Sequence, residues 1–232
     1  MKVKLISYSQ KVPEMVGYPK VPVVNEDIQE LIAYCARVSN PSNQNNQETS
    51  ERLLSYLAKH KHWSPFEMVS ACLEIETTRD IARQILRHRS FSFQEFSQRY
   101  ANPVNDLEYE LRETRLQDLK NRQNSIGLDS GENVDLVMEW YKKQSEVIIA
   151  AKKSYNWAIE NGIAKEQARA VLPEGMIKSR LYVNGTIRSW IHFIELRSGN
   201  GTQLEHQKIA LECAKAIKEI FPLAEKFISD GV

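Results

Sequence analysis

The stretch MVSACLEIETTRDIARQILRH, from Met68 to His88, decides the fold class of this chain. Apolar and polar residues alternate over Met68–Thr77, which is typical of a half-buried strand. Thr78 can then cap a helix that runs from Arg79 to about His88 with its apolar residues on one face. A strand, a cap and a helix in this order predict a mixed α/β fold.

The same periodicity predicts the elements on either side of this stretch. Further strands are expected at Val3–Ser7 and Lys178–Gly185, and Ser64-Pro65-Phe66-Glu67 carries the signature of a helix start with a capping box. Cap and stop signals, with Asn25 before the first helix and Gly162 after the third, predict further helices at 26–38, 49–60, 133–161, 165–171, 187–196 and 204–221. The apolar residues near one stripe of the helix at 133–161 are Val134, Val137, Tyr141, Ile148, Tyr155 and Ile159. Residues 103–132 are poorly periodic and form a variable, insertion-like region. The prediction is a helix-rich α/β (α+β) fold with a small mixed or antiparallel sheet, in a single domain over 1–232.

Composition and charge exclude several classes of protein. The chain has 232 residues, 42% of them hydrophobic, with 31 basic and 30 acidic side chains. Such a chain can bury a core, and it lacks both the apolar runs of a membrane span and the strong positive charge of a nucleic-acid coat. No signal peptide is evident at the N-terminus, so we expect a cytoplasmic location, or the host cytoplasm for a viral chain.

Cysteine and histidine spacing gives no sign of a metal site. Cys35, Cys72 and Cys213 form no CxxC pair, and each lies in an apolar-periodic segment that favours burial. His60 and His62 alternate around a lysine, but no carboxylate or cysteine completes a ligand set at a known spacing. No metal is expected.

The segment RHRSFSFQEFSQRY, Arg87–Tyr100, is the densest in chemically active side chains. Just before it, Arg79, Arg83 and Arg87 are spaced four residues apart, so they would line one helical face. Guanidinium groups suit bidentate capture of phosphate. A solvated basic face that forms salt bridges with carboxylates such as Glu95 is an equally good interpretation of the pattern.

A second cluster lies in the helix predicted at 187–196. Arg188 and His192 are four residues apart, and Arg197 follows near the helix end, where the helix dipole also favours a cation. His192 could equally be a core histidine. Arg169 is an isolated arginine with an equally plausible surface role.

Five motifs in order resemble the flavin-dependent thymidylate synthase family. RHR at 87–89 is followed after seven residues by Ser97 and then by Arg99-Tyr100, which is similar to the family signature. The other four motifs are ARVS at 36–39, HWSPFE at 62–67, ARAVLP at 168–173, and RSWIHF at 188–193 with Arg197. Together they span most of the chain.

This resemblance implies a fold, an activity and an assembly. The family has an α/β fold and forms a homotetramer with active sites where subunits meet. Its members reductively methylate dUMP to dTMP, with 5,10-methylenetetrahydrofolate as carbon donor, NADPH as reductant and FAD as cofactor, and they release tetrahydrofolate. They need no cysteine nucleophile, and no cysteine here has an evident activating environment.

The resemblance also implies site residues, position by position. Arg197 matches the arginine set against the pyrimidine, where a cation should favour ionisation of the ring and make carbon 5 more nucleophilic. The positions that match dUMP contacts are Gln84, Arg87, Glu95, Ser97, Gln98, Arg99, Arg169 and Arg197. The positions that match FAD contacts are Ser39, Ser64, Arg87, His88, Arg89, Glu95, Thr186, Arg188 and His192.

Three positions depart from the family pattern, and two other functions remain open. Gln94 and Thr186 stand where asparagine is usual, and Gly201 stands where a histidine is common. One alternative is a nucleic-acid-binding module that stacks bases on Phe91 and its aromatic neighbours, which the balanced charge disfavours. The other is a structural oligomer in which the arginines form only intersubunit ion pairs.

Overall fold

The computed structural model describes residues 1–11, 28–128 and 131–228. Within these ranges the strands are β1 Lys2–Tyr8, β2 Ser70–Thr78, β3 Ser92–Glu95, β4 Arg115–Gln117, β5 Ser125–Gly127 and β6 Lys178–Thr186. The α-helices are α1 Gln29–Ala36, α2 Ser50–Lys59, α3 Arg79–Ile85, α4 Pro103–Asp106, α5 Val134–Glu160, α6 Lys165–Ala168, α7 Ile187–Ser198 and α8 Leu204–Lys218. Short 3-10 helices lie at Pro41–Asn43, Ser64–Glu67, Arg169–Val171 and Pro222–Phe227.

A four-stranded antiparallel sheet in the order β1-β2-β6-β3 forms the centre of the fold. Its two long strands pair along their whole length, with Ser70 opposite Thr186 and Thr78 opposite Lys178. Odd-numbered residues of β2 are buried and even-numbered ones are partly exposed up to Glu76, as the alternation predicts. The predicted fold class, helix-rich α/β with a small sheet, is confirmed, and the sheet is antiparallel.

The buried face of the sheet packs against α7 and α8. Trp190 of α7 is fully buried, and its Nε1 donates a hydrogen bond to the Ala71 carbonyl of β2 at 3.0 Å. A Cβ at Gly185 would lie 2.3 Å from the Phe91 ring, so a glycine at this position lets that ring pack against the sheet. This packing connects α7 rigidly to the segment that follows α3.

Two predictions of helix ends are wrong. Ser64–Glu67 is a short 3-10 helix in which Trp63 holds the cap position and no side chain caps it, because Glu67 turns to residues of β6 and α7 instead. The helix predicted to reach His88 ends at Ile85, and no cap bond from Thr78 is seen since its hydroxyl donates to Asp80 at 2.6 Å. The strand β3 was not predicted.

Helix α5 matches the prediction in length, but little of its predicted apolar stripe is fully buried. It spans Val134–Glu160, and Gly162 at φ +76° follows as the predicted stop. Of the predicted stripe only Tyr155 is fully buried, in a small second core with Leu172 and Ile177. Its large exposed apolar residues are Val134, Leu136, Met138, Trp140, Val147, Ile149 and Trp157.

The region predicted as variable, 103–132, has its own structure. It contains α4 and the hairpin β4–β5, which Arg112 and Arg115 join to Glu205 of α8. The helix predicted at 26–38 is observed as Gln29–Ala36, and its predicted cap, Asn25, lies outside the described residues. No helix of the described ranges is long and apolar enough to cross a membrane.

Candidate functional site

The N-terminal end of α7 holds a guanidinium that a carboxylate neutralises. The Thr186 hydroxyl caps the helix by accepting from Ser189 N–H at 3.3 Å, and it donates to Glu67 Oε2 at 2.6 Å. Arg188 Nη1 donates to Glu67 Oε1 at 2.6 Å. The hydrogen bond from Thr186, and then those of Arg188, lower the pKa of Glu67, so this carboxylate is ionised at neutral pH.

Two other predicted flavin contacts lie near this end. Ser64 begins the 3-10 helix that also carries Glu67, and the exposed His192 meets Trp63 edge-on with ring centroids 4.9 Å apart. Ser39 is exposed just beyond α1. These side chains therefore remain free to meet a ligand.

The C-terminal end of α7 has the opposite electrostatic setting. Arg197 Nε donates to His88 Nε2 at 2.9 Å, so the imidazole accepts through Nε2 and its proton lies on Nδ1. Burial, then Arg197 and Arg87, lower the pKa of His88 to about 4. The histidine is therefore neutral at pH 7.

Among the residues that the structure describes, no carboxylate compensates the charges at this end. Burial and then the positive charge of Arg87 lower the pKa of Arg197. Within the described parts of the chain, neither these two arginines nor Arg89 forms an ion pair with an acidic side chain. Concentrated positive charge without a counter-ion favours the binding of an anion.

The segment 91–98, after α3, contains side chains that stabilise the fold and one buried amide without a hydrogen-bond partner among the described residues. Glu95 accepts from Ser179 Oγ at 2.9 Å and pairs with Arg79 Nη1 at 3.2 Å, so Arg79 has the salt-bridge role that the alternative interpretation gave it. Gln98 is buried, and its Nε2 has no hydrogen-bond partner among the described residues. Phe91 is buried against Trp190, which removes it as a stacking platform for nucleic acid.

Three further predicted residues lie together near α6. Arg99 Nη2 is 3.5 Å from Glu166 Oε2, and Arg169 Nε donates to the Glu166 carbonyl at 3.3 Å. Ser97 Oγ accepts from the Arg99 N–H at 3.3 Å. The chain thus brings His88 and Arg197 together, and it places Arg169 with Arg99 beside Glu166.

Sequence reasoning missed the partners of Gln84. Its Nε2 donates to Gln203 Oε1 at 2.8 Å, and its Oε1 lies 3.2 Å from His206 Nδ1. His206 is fully buried, and burial, then Arg197 and His88, lower its pKa to about 3. The available signal was the pair Glu205 and His206, two polar residues next to each other near the start of the helix predicted at 204–221.

The described ranges contain neither a cluster of metal ligands nor an activated cysteine thiol. They hold no group of three or more potential metal ligands. Burial raises the pKa of all three cysteine thiols, which keeps them protonated near neutral pH. A cavity of about 420 Å³ lies between the β4–β5 hairpin and the start of α5, and none of the predicted site residues lines it.

Two full-length relatives of this chain have similar names. The sequence model of the family described as "Thymidylate synthase complementing protein" matches residues 22–223. A probable flavin-dependent thymidylate synthase of Paramecium bursaria Chlorella virus 1 is 48% identical over 95% of this chain and 94% of its own. A flavin-dependent thymidylate synthase of Synechocystis is 46% identical over 96% of both chains.

A solved structure shares the fold. It is a UMP/dUMP methylase, PolB from Streptomyces cacaoi, bound with 5-Br dUMP; its TM-score is 0.74 at 23% identity over 97% of this chain and 93% of that one. The likeness extends over nearly the whole of both chains and supports the antiparallel α/β architecture. On the family match and the two full-length relatives, this chain belongs to the flavin-dependent thymidylate synthase family.

Proposed function

We propose that this protein is a flavin-dependent thymidylate synthase that reductively methylates dUMP to dTMP. In this proposal 5,10-methylenetetrahydrofolate gives the carbon, NADPH is the reductant and FAD is the cofactor. The names of its full-length relatives support the activity, and the methylase that shares its fold binds a dUMP analogue. The observation that carries the proposal is Arg197, which donates to the neutral His88 at 2.9 Å and has no acidic partner among the described residues.

The dUMP site in this proposal is an anion site with one catalytic cation. Arg197 stabilises negative charge on the pyrimidine, and it can do so because no carboxylate of the described chain neutralises it. Arg87 supplies a second cation for the nucleotide. The unpaired buried amide of Gln98 offers a donor to a ligand group. The remaining proposed contacts are Gln84, Glu95, Ser97, Arg99 and Arg169.

The residues present also fit an FAD. Arg87 and Arg89 are exposed arginines without acidic partners in the described ranges, which suits a pyrophosphate. Arg188 and Thr186 already satisfy Glu67, so this end of α7 suits an uncharged part of the ligand. Ser39, Ser64, His88, Glu95 and His192 complete the proposed contacts. When bound, the flavin supplies redox chemistry that the side chains themselves lack.

We further propose a single domain that assembles as a homotetramer, with active sites between subunits. The exposed apolar side chains of α5 support an assembly, since Ile149 is 67% exposed and Trp157 59%. Monomeric proteins rarely leave such a surface in water. We place the enzyme in the cytoplasm, or in the host cytoplasm if the chain is viral.

Release of tritium from dUMP labelled at carbon 5 tests the activity. With methylenetetrahydrofolate and NADPH present, we expect tritium release and dTMP formation that depend on added FAD. The purified protein should be yellow and should bleach with NADPH. A colourless protein that binds oligonucleotides with a steep dependence on salt would overturn the proposal in favour of nucleic-acid binding. A tetramer with neither flavin nor turnover would favour the structural role.

A further inference from the structure

A buried carboxylate starts a chain of hydrogen bonds that ends beside Arg197. Glu205, at the start of α8, is 5% exposed and accepts from Gln203 Nε2 at 3.0 Å. It also accepts from Arg115, and Arg112 Nη1 lies 3.5 Å away. Burial by itself would raise the pKa of Glu205, but hydrogen bonds from its own backbone N–H and from Gln203 lower it overall. The carboxylate is ionised and can only accept.

This carboxylate determines the direction of every later bond. Because Gln203 must turn its amide nitrogen to Glu205, its oxygen faces Gln84, which therefore turns its own nitrogen to Gln203. The oxygen of Gln84 then faces His206 Nδ1, and that nitrogen must carry the proton. One hydrogen of the Gln84 amide remains for a ligand.

The other nitrogen of His206 is a buried acceptor. His206 Nε2 has no hydrogen-bond partner among the described residues. A proton there would be a buried donor with no acceptor among the described residues, and it would add a positive charge in the field of Arg197. The His206 ring packs on Phe193, with centroids 5.6 Å apart, and edge-on to His88 at 6.3 Å.

We propose that Glu205 is a positioning residue that, through Gln203 and Gln84, holds His206 as the neutral Nδ1-protonated tautomer beside His88 and Arg197. The inference deepens the proposed function, because it assigns a role to residues behind the proposed dUMP contacts. It also assigns a structural role to the variable region 103–132, since Arg112 and Arg115 of that region form ion pairs with Glu205. The positive charge at the site is thereby limited to guanidinium groups.

Nitrogen NMR of the imidazole rings tests the tautomer directly. In the full-length protein labelled with ¹⁵N-histidine, we expect His206 to show a protonated Nδ1 and an unprotonated Nε2. Glu205→Gln introduces an N–H group that must point at one of the donors, so a large fraction of His206 should change to the Nε2-protonated form. Gln203→Leu cuts the chain but leaves the Glu205–Arg115 ion pair, and it should have the same effect.

A matched variant and a kinetic measurement complete the test. Glu113→Gln removes a carboxylate that pairs with the exposed Lys208 at 3.0 Å, and the His206 signals should not move. We expect kcat/KM for dUMP to fall about tenfold in Gln203→Leu and to stay at the wild-type value in Glu113→Gln.

The two proposals fail in different ways. A wild-type His206 protonated on Nε2, or a tautomer that Gln203→Leu leaves unchanged, would overturn the role of Glu205 even in an active enzyme. Since the spectra need no substrate, an inactive protein with the expected spectra would overturn the proposed function and leave this inference standing.

Discussion

The two ends of α7 place the same residue type in opposite surroundings. At the N-terminal end Arg188 is neutralised by Glu67, whose second oxygen accepts from the helix cap. At the C-terminal end Arg197 contacts the neutral His88, and the charge of Arg87 adds to the lowering of its pKa. A guanidinium with a carboxylate partner holds the fold together, whereas one without a partner keeps its charge for a ligand. Position within the helix is therefore a poor guide to function without the tertiary partner.

The largest expected effect comes from removing the uncompensated charge. Arg197→Ala should lower the rate of dTMP formation by about a hundredfold to a thousandfold, since one group that stabilises developing negative charge is lost. Bound flavin should remain, as measured by its visible absorbance. Wild-type turnover in this variant would show that the unpaired charge of Arg197 does not contribute to the reaction.

A smaller effect is expected at the neighbouring arginine. Arg87→Ala should weaken dUMP binding about tenfold to a hundredfold, because a charge-assisted hydrogen bond to a ligand anion is lost. Arg83→Ala is the matched control, since Arg83 is already paired with Glu174 at 3.1 Å. Isothermal titration with dUMP compares the two variants, and equal affinities would argue against an anion site at Arg87.

A further effect is expected in the free energy of unfolding below neutral pH, through the buried His206. His206 has a pKa of about 3 in the folded protein against about 6.5 when unfolded, so the unfolded chain binds more protons as the pH falls. The stabilising contribution is complete above pH 6.5 and is lost as the pH falls towards 3, at up to about 1.4 kcal/mol per pH unit.

The variant His206→Asn isolates that contribution. Asparagine can place an N–H group near the position of Nδ1 and has no titrating nitrogen. Urea unfolding between pH 6.5 and 4.5 should therefore show a shallower dependence of the free energy of unfolding on pH than in the wild-type protein. Parallel profiles for the two proteins would show that His206 does not resist protonation.

The smallest effect is expected at the compensated end of α7. Thr186→Val removes the helix cap and the hydroxyl that donates to Glu67, so the free energy of unfolding should fall by about 1 kcal/mol. Thr186→Ser keeps the hydroxyl and is the matched control. Urea unfolding measures both, and identical stabilities for the two variants would mean that the hydroxyl contributes nothing.

Much of the fold was predictable because its signals are local. The alternation in β2, the length of α5 and its glycine stop all follow from side chains a few residues apart. The short strand β3 was not predictable, because its four residues gain strand geometry only by pairing with β6. Of the apolar stripe predicted on α5 only Tyr155 is fully buried, since periodicity identifies an apolar face but not what covers it.

The candidate site was predictable in composition and not in electrostatics. The motifs identified Arg87, His88 and Arg197 as a set, and the structure of one chain brings these three together. The sequence placed Glu67 in a capping box, whereas it neutralises Arg188. The hydrogen-bonded chain from Glu205 to His206 was not predicted, because it runs through Gln84, which lies about 120 positions before Gln203 and His206.

By itself, the sequence determined the family, the strand–helix order and the residue types that gather around α7, because those depend on local pattern and on motifs. Only the tertiary structure decided which arginine is neutralised and which histidine stays neutral. The physical reason is that charge state depends on burial and on the nearest partner, and both are set by chain segments far apart in sequence.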